Sequence, residues 1–232
     1  MNARERLDQL VERHALAPPA AARLWSLLEL LARDEHAPSA VRDLERAVDI
    51  HVADSLSALA LPAVAAAQSF ADLGSGAGFP GIPLAVALAQ TTGVLVESSK
   101  RKCDFLARAL GAAEVANARV VRARAEEWSG EVDLVTARAL GELALVCEYA
   151  APLLARGGSL VAWKGAVADA ELLAGRRAAQ ELGLASRGVI RVSPYPGSVM
   201  HHLHVYEKVA DTPSRFPRRP GAARKQPLGR ER

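Results

Sequence analysis

At 232 residues the chain has room for one large domain, or for one domain with appendages, and its Leu, Val and Ile content supports a core of ordinary size. Hydrophobic residues make up 50% of it, 47 of them alanine, and 24% are charged, which excludes a disordered or fibrous chain. Net charge is +3, with 24 Arg against 5 Lys, and two cysteines, Cys103 and Cys147, provide neither a disulfide framework nor a four-ligand zinc site, so a cytoplasmic, reducing setting is expected.

Arg4, Glu5, Arg6 and Asp8 precede any apolar run, so no signal-peptide core is expected. Residues 1–60 read as a helical extension. Leu7, Leu10, Val11 and His14 share one helical face, and Leu24, Leu27, Leu28 and Leu31 repeat the stripe after Pro18-Pro19. A third helix is expected from Arg42 to Leu59, with Leu44, Val48, Val52 and Leu59 inward.

From Ser69 the pattern changes to short β runs alternating with helices, the signature of a parallel sheet covered on both faces. Strands are expected at Ser69-Leu73, Val94-Glu97, Arg119-Arg122, Val132-Thr136, Ser159-Trp163, Val189-Val192 and Leu203-Lys208. Helices are expected at about 80–90, 99–111, 140–154 and 167–183. The stretch Ser193 to His202 is too short for a helical crossover, so the last two strands should pair antiparallel. Between Asp72 and Glu97 lie 24 uncharged residues, but five are Gly and two are Pro, which suits a buried strand, loop and helix better than a membrane span.

Residues 210–232 form a basic tail of net charge +5, leaving −2 for residues 1–209. Such a tail is either an extended arm that meets phosphates or a solvated, disordered segment.

Ser69-Leu73 runs into Gly74-Ser75-Gly76-Ala77-Gly78-Phe79-Pro80-Gly81, where glycines permit positive φ and close approach of a ligand. Gly76 to Gly81 satisfies the dinucleotide pattern G-x-G-x-x-G, so an NAD(P)-dependent oxidoreductase is one reading. Its register is poor, because Gly74 already opens the loop. Asp72, anionic beside the turn, would repel a pyrophosphate and suits an ammonium group, which suggests a nucleoside carrying an amino acid. Glu97 ends the second strand, where a carboxylate can accept both ribose hydroxyls. Ala125-Glu126, with Arg124 before it, offers a carboxylate and backbone N–H groups suited to the edge of adenine.

Together these residues resemble the S-adenosylmethionine site of the seven-stranded methyltransferases. The resemblance sharpens through His51-x-x-Asp54-Ser55-Leu56, Asp72-x-Gly74-Ser75-Gly76-x-Gly78-Phe79-Pro80-Gly81-Ile82-Pro83-Leu84, Glu97-Ser98-x-Lys100-Arg101, Arg138-Ala139, Lys164-Gly165 and Phe216-Pro217-Arg218-Arg219-x-Gly221. In order and spacing they resemble the RsmG (GidB) family of 16S ribosomal RNA guanine-N7 methyltransferases, whose target is guanine 527. The resemblance implies a Rossmann-like sheet of five parallel strands plus a terminal antiparallel hairpin, with the methyltransferase domain at 61–209. It further implies S-adenosyl-L-methionine as cofactor, 16S rRNA in the 30S subunit or its precursor as partner, and cofactor contacts at Gly74, Phe79, Glu97, Ala125, Glu126 and Arg138. One departure is visible: Ala37-Pro38-Ser39-Ala40-Val41 stands where the family commonly has Asn-Leu-Thr.

After the fourth strand the chain reads Thr136-Ala137-Arg138-Ala139, not the Asn/Asp-Pro-Pro-aromatic run of exocyclic-amine methyltransferases. Neither cysteine follows a proline, as a cytosine-C5 nucleophile would. Guanine N7 has a free lone pair and needs no general base, so no catalytic residue is assigned. Arg138 is assigned to the methionine carboxylate or a substrate phosphate. Lys164 at a strand end, with Arg218, Arg219 and Lys225 of the tail, is assigned to RNA. His201, His202 and His204 look like a metal cluster, but neighbouring strand residues point to opposite faces, so no metal is expected. His51 and Asp54 share a helical face and are expected to orient that helix. A non-catalytic RNA-binding assembly factor is a third reading.

Overall fold

The computed structural model describes residues 2–229. Three helical segments come first: α1 (Ala3–Arg13), α2 (Ala20–Arg33), and a run over 44–60 made of α3 (Leu44–Ala47), a π turn (Val48–Ala53), α4 (Asp54–Leu56) and a 3-10 turn (Ser57–Ala60). Asn2 and Glu5 cap α1 reciprocally, and Asp43 caps α3 by accepting the Arg46 N–H. The third helix expected over 42–59 is therefore present, but not as one regular helix. Its π turn widens the backbone where His51 and Asp49 sit, a feature common at functional positions. A short α5 (Pro62–Ala65), opened by Pro62, then leads into the sheet.

The remaining elements alternate: β1 (Ser69–Leu73), α6 (Gly81–Ala87), β2 (Thr92–Glu97), α7 (Lys100–Ala112), β3 (Ala118–Arg122), β4 (Val132–Arg138), α8 (Leu143–Ala150), β5 (Leu154–Lys164), α9 (Asp169–Glu181), β6 (Leu184–Val192), β7 (His201–Lys208) and α10 (Ala222–Lys225). The sheet order is β3-β2-β1-β4-β5-β7-β6. β1 to β5 are mutually parallel, and β7 is antiparallel to both β5 and β6. This is the expected topology of five parallel strands and a closing antiparallel hairpin. Boundaries differ where proline and glycine act. Pro152 ends the helix expected to reach 154 in a 3-10 turn, so β5 starts at Leu154 rather than Ser159. β6 starts at Leu184 rather than Val189 because a bulge at Ser186/Gly188, with Gly188 at φ 118°, lets pairing with β7 continue past it.

Alternating residues of the strands feed two cores. Phe70 and Leu95 face α1, α2, α6 and α7, while Ala71, Leu73, Val94 and Val96 face α8, α9 and the tail. The α2 stripe of Leu24, Leu27, Leu28 and Leu31 is buried, each leucine contributing roughly 1.5–3 kcal/mol, so the N-terminal helices share the core of the α6–α7 layer. Arg6 of α1 reaches Asp49 of the π turn at 2.6 Å. The residues between Asp72 and Glu97 form loop, α6 and strand, and among the described residues no helix is long and apolar enough to cross a membrane.

Residues 210–229 do not project from β7 as the expected extended arm would. They fold back on the body, burying Phe216 and Ala223, because the apolar residues of the tail find a core beside α8. Arg230, Glu231 and Arg232 lie outside the described residues.

Candidate active site

The carboxyl ends of the parallel strands carry a cleft of about 240 Å³. Gly74 after β1, Glu97 and Ser98 after β2, Ala123 to Glu126 after β3, and Ala139-Leu140 after β4 line it with Lys102, Tyr149 and Arg224. Gly74, Gly76 and Gly78 all have positive φ, at 70°, 57° and 93°, which only glycine adopts readily. A Cβ on Gly74 would meet Leu140 Cδ1 at 2.7 Å, so the bare backbone keeps the cleft open there.

Glu97 is 6% exposed and accepts the Gly76 N–H at 3.2 Å and the Ser99 N–H at 2.9 Å. It thereby joins the glycine loop to the start of α7 and retains acceptor capacity toward the cleft. Glu126 accepts the Gly221 N–H at 3.1 Å through one oxygen. Asp72 lies behind the loop, not on the cleft wall. Its Oδ1 accepts the Thr136 hydroxyl at 2.8 Å, and its Oδ2 is buried without a hydrogen-bond partner. Burial pushes its pKa up to about 6. Gly81 is required directly above, where a Cβ would stand 2.8 Å from Asp72 Oδ2.

Phe79 and Arg138 belong to a different group. Phe79 stacks on His51 at 4.4 Å, and the Arg138 guanidinium lies 5.6 Å from the Phe79 ring. Arg138 donates to Asp54 Oδ2 at 2.9 Å, to the Ile50 carbonyl at 3.0 Å and to His51 Nδ1 at 3.2 Å. An arginine can only donate, so His51 Nδ1 is the acceptor and its Nε2–H points to Ser39 Oγ at 3.0 Å. Burial, with Arg138 beside it, drives the His51 pKa down to about 3, keeping the ring neutral. Ser39, in the stretch that departs from the family pattern, thus anchors the histidine. The second oxygen of Asp54 meets His201 Nδ1 at 3.0 Å, His201 Nε2 meets the Tyr195 hydroxyl at 3.2 Å, and Trp163 Nε1 donates to the Asp54 carbonyl at 3.0 Å. The expectation for His51 and Asp54 captured their common face but not the partners Arg138, Trp163 and His201, which arrive from β4, β5 and β7.

This group walls a second pocket of about 540 Å³ lined by Asp54, Arg138, Trp163, Lys164, His201 and His202, with Val199 and Met200 at its lip. Ala139 lines both pockets and holds φ 56°, strained for a residue with a Cβ. Lys164 is paired with Glu171 at 2.7 Å and donates to the Gly141 carbonyl at 3.0 Å. In the tail, Arg218 is bound to Glu148, whereas Arg219 and Lys225 are exposed. Among the described residues no group of three or more His, Cys, Asp or Glu could hold a metal ion.

Tyr149, Leu140, Lys102 and Arg224 were absent from the sequence assignment of the cleft. Arg224 carried a signal as a cation in a segment with family-like residues, but Tyr149 sits in an apolar helix that says nothing of its face.

The model of the family described as rRNA small subunit methyltransferase G, GidB, matches residues 24–193. The chain belongs to this family. The resemblance read from the motifs is borne out by this match, and of the motif residues Gly74, Glu97, Ser98 and Arg124 to Glu126 line the cleft, whereas Asp72 and Phe79 do not. The ribosomal RNA small subunit methyltransferase G of Rubrobacter xylanophilus is 39% identical over 196 residues, covering 81% of this chain and 75% of its own. That of Pelotomaculum thermopropionicum is 37% identical over 192 residues, covering 79% and 80%. Solved structures of other proteins share the fold. The apo S-adenosylmethionine-dependent methyltransferase SibL has a TM-score of 0.56 at 16% identity, covering 88% of this chain and 73% of that one. Aeropyrum pernix fibrillarin, solved with natively bound S-adenosyl-L-methionine, has a TM-score of 0.52 at 18% identity, covering 66% and 72%.

As a member of the GidB family the chain is an rRNA methyltransferase, which decides between the three readings of its function, and its cofactor is S-adenosylmethionine. The cleft fits that molecule: a nearly buried acceptor at Glu97, a glycine backbone with no side chain to intrude, and a polar wall at Ala125-Glu126.

Proposed function

We propose that this rRNA methyltransferase transfers a methyl group to N7 of a guanine in 16S rRNA, guanine 527 in the family, acting in the cytoplasm on the 30S subunit or its precursor. Glu97 would hold the ribose of the cofactor, Ala125 and Glu126 its base, and the loop from Gly74 to Gly76 would meet its amino-acid part, with Asp72 supporting the loop from behind. When bound, the cofactor supplies an electrophilic methyl group on a sulfonium, which an in-line lone pair can take without further activation.

The observation that carries the N7 reading is the state of the groups in the pocket beside Ala139. Asp54 is held by Arg138 and His201, Lys164 by Glu171, and His51 is kept neutral and hydrogen-bonded on both nitrogens. These groups orient and donate. A hydroxyl or amine acceptor would need a proton removed, whereas N7 presents its lone pair already. Lys164 uses two of its three donors internally, and a third toward the pocket suits the O6 of a guanine or a phosphate. Arg219 and Lys225 are proposed as phosphate contacts outside it.

Alkylation at N7 fixes a positive charge on the guanine ring, so borohydride reduction and aniline treatment should break methylated 16S rRNA at one enzyme-dependent guanine. Recovery of the label as a 2′-O-methyl nucleoside or N2-methylguanine, with no aniline-sensitive site, overturns the assignment.

A further inference from the structure

The residues beyond β7 tie the tail to the cofactor cleft by contacts that its charge did not foretell. Arg218 lays its guanidinium fork on Glu148 of α8, Nε at 2.8 Å from Oε1 and Nη2 at 2.6 Å from Oε2. Glu148 is 1% exposed, and a carboxylate so buried is costly without a partner, so this pair fixes where the tail runs. Phe216 before it and Ala223 after it are buried against the same core. Between them Gly221, at φ 79°, donates its N–H to Glu126 Oε1. Arg224 then enters the cleft wall beside Ala125, Glu126, Leu140 and Tyr149, with Nη2 3.4 Å from the Leu140 carbonyl. Arg219, Arg224 and Lys225 are all exposed, but of the three only Arg224 lines the cleft.

We propose that residues 216–226 form a clasp that positions Glu126 and closes the base end of the cofactor cleft, with the Arg218–Glu148 pair as its anchor and Arg224 as its contact face. The proposal rests on the cleft being the cofactor site. It divides the basic tail by function: Arg218 and Arg224 act on cofactor retention, while Arg219 and Lys225 are left for RNA. Arg218 and Gly221 act through Glu126 and are positioning residues. Because clasp and cofactor would stabilise one another, binding must protect the tail as much as the tail improves binding.

The test uses the full chain with S-adenosylhomocysteine as probe. Arg218→Ala risks unfolding, since it strands Glu148, so the leading variant is Arg224→Ala, whose side chain is exposed. Its calorimetric Kd for S-adenosylhomocysteine, and its KM for S-adenosylmethionine, should rise about tenfold, with partial rescue by Arg224→Lys. KM for 30S subunits should stay within about twofold, the reverse of Arg219→Ala combined with Lys225→Ala. In the wild type, saturating probe should slow tryptic cleavage after Arg224 and Lys225 by about tenfold, followed by mass spectrometry. If the wild type binds the probe but Arg224→Ala keeps the same Kd and cleavage is not slowed, the clasp is wrong and the cofactor site stands. A rise in KM for 30S subunits at unchanged Kd overturns it too, as an RNA effect. A wild type that does not bind the probe removes clasp and cofactor site together.

Discussion

Glu97 accepts the Gly76 N–H at 3.2 Å, so the acid that ends β2 also sets the shape of the loop after β1. One carboxylate would thus serve both ribose and loop. Glu97→Ala should lower S-adenosylhomocysteine affinity by roughly a hundredfold or more, from the loss of two hydrogen bonds to a charged acceptor at about 1.5 kcal/mol or more each. Glu97→Gln should fall between the two, since it keeps an acceptor without the charge. Isothermal calorimetry checks the order, and circular dichroism should show an unchanged fold.

Gly74 offers a second lever. Its φ of 70° and the 2.7 Å approach of Leu140 to a built Cβ mean that any side chain meets both backbone strain and the far end of a leucine. Gly74→Val should abolish detectable cofactor binding and lower stability by about 1–3 kcal/mol. Pairing Gly74→Ala with Leu140→Ala makes room but leaves the strain. It should recover part of the binding and little of the stability, read by calorimetry and denaturant titration.

The pH dependence of stability should carry two opposed contributions. His51 titrates at about 3 when folded and 6.5 when free, so the unfolded chain takes up the proton first and stability falls as pH drops from 6.5 toward 3. Asp72 titrates at about 6 when folded and 3.8 when free, so the folded state holds the proton longer and stability falls as pH rises from 3.8 through 6. His51→Phe keeps a ring on Phe79 and should remove the acid-side loss. Asp72→Asn should remove the opposite slope, on the order of 3 kcal/mol across its window. Urea titrations between pH 4 and pH 7 measure both slopes, and identical slopes in variants and wild type would contradict the burial of these groups.

The sheet, the glycine loop and Glu97 were legible because their signals are local: apolar runs of strand length, glycines spaced for a turn, an acid at a strand end. The Arg138 group was not, because its partners stand 84, 87 and 147 residues apart in pairs such as Arg138–Asp54, Arg138–His51 and His201–Asp54. The π turn that presents His51 also breaks the regular period on which the helical reading relied. Charge alone pointed to an extended tail, and its apolar residues and Arg218 decided otherwise. Glu148, a single acid in the apolar run Leu143-Ala144-Leu145-Val146-Cys147-Glu148-Tyr149-Ala150, was the available sign that a cation from elsewhere had to reach it.

Asp54 offers the sharpest separation of the two pockets. Asp54 is 5% exposed and holds Arg138 with one carboxylate oxygen and His201 with the other, and neither partner lines the cleft beside Glu97. Asp54→Asn keeps one acceptor oxygen but removes the charge opposite Arg138 and turns an NH2 toward one of two donors. The remaining partners hold Arg138 to the Ile50 carbonyl and His51, so it shifts rather than swings free. Stability should drop by about 2 kcal/mol, less than the roughly 3–5 kcal/mol of a fully orphaned buried charge. Affinity for S-adenosylhomocysteine should stay near the wild-type value, while methyl transfer to 30S subunits should slow by about a hundredfold at saturating cofactor, because the acceptor base loses its alignment. Calorimetry beside single-turnover methyl transfer reads the two effects separately. Parallel loss of cofactor affinity would place Asp54 and Arg138 in the cofactor site after all and would shift the proposed guanine pocket elsewhere.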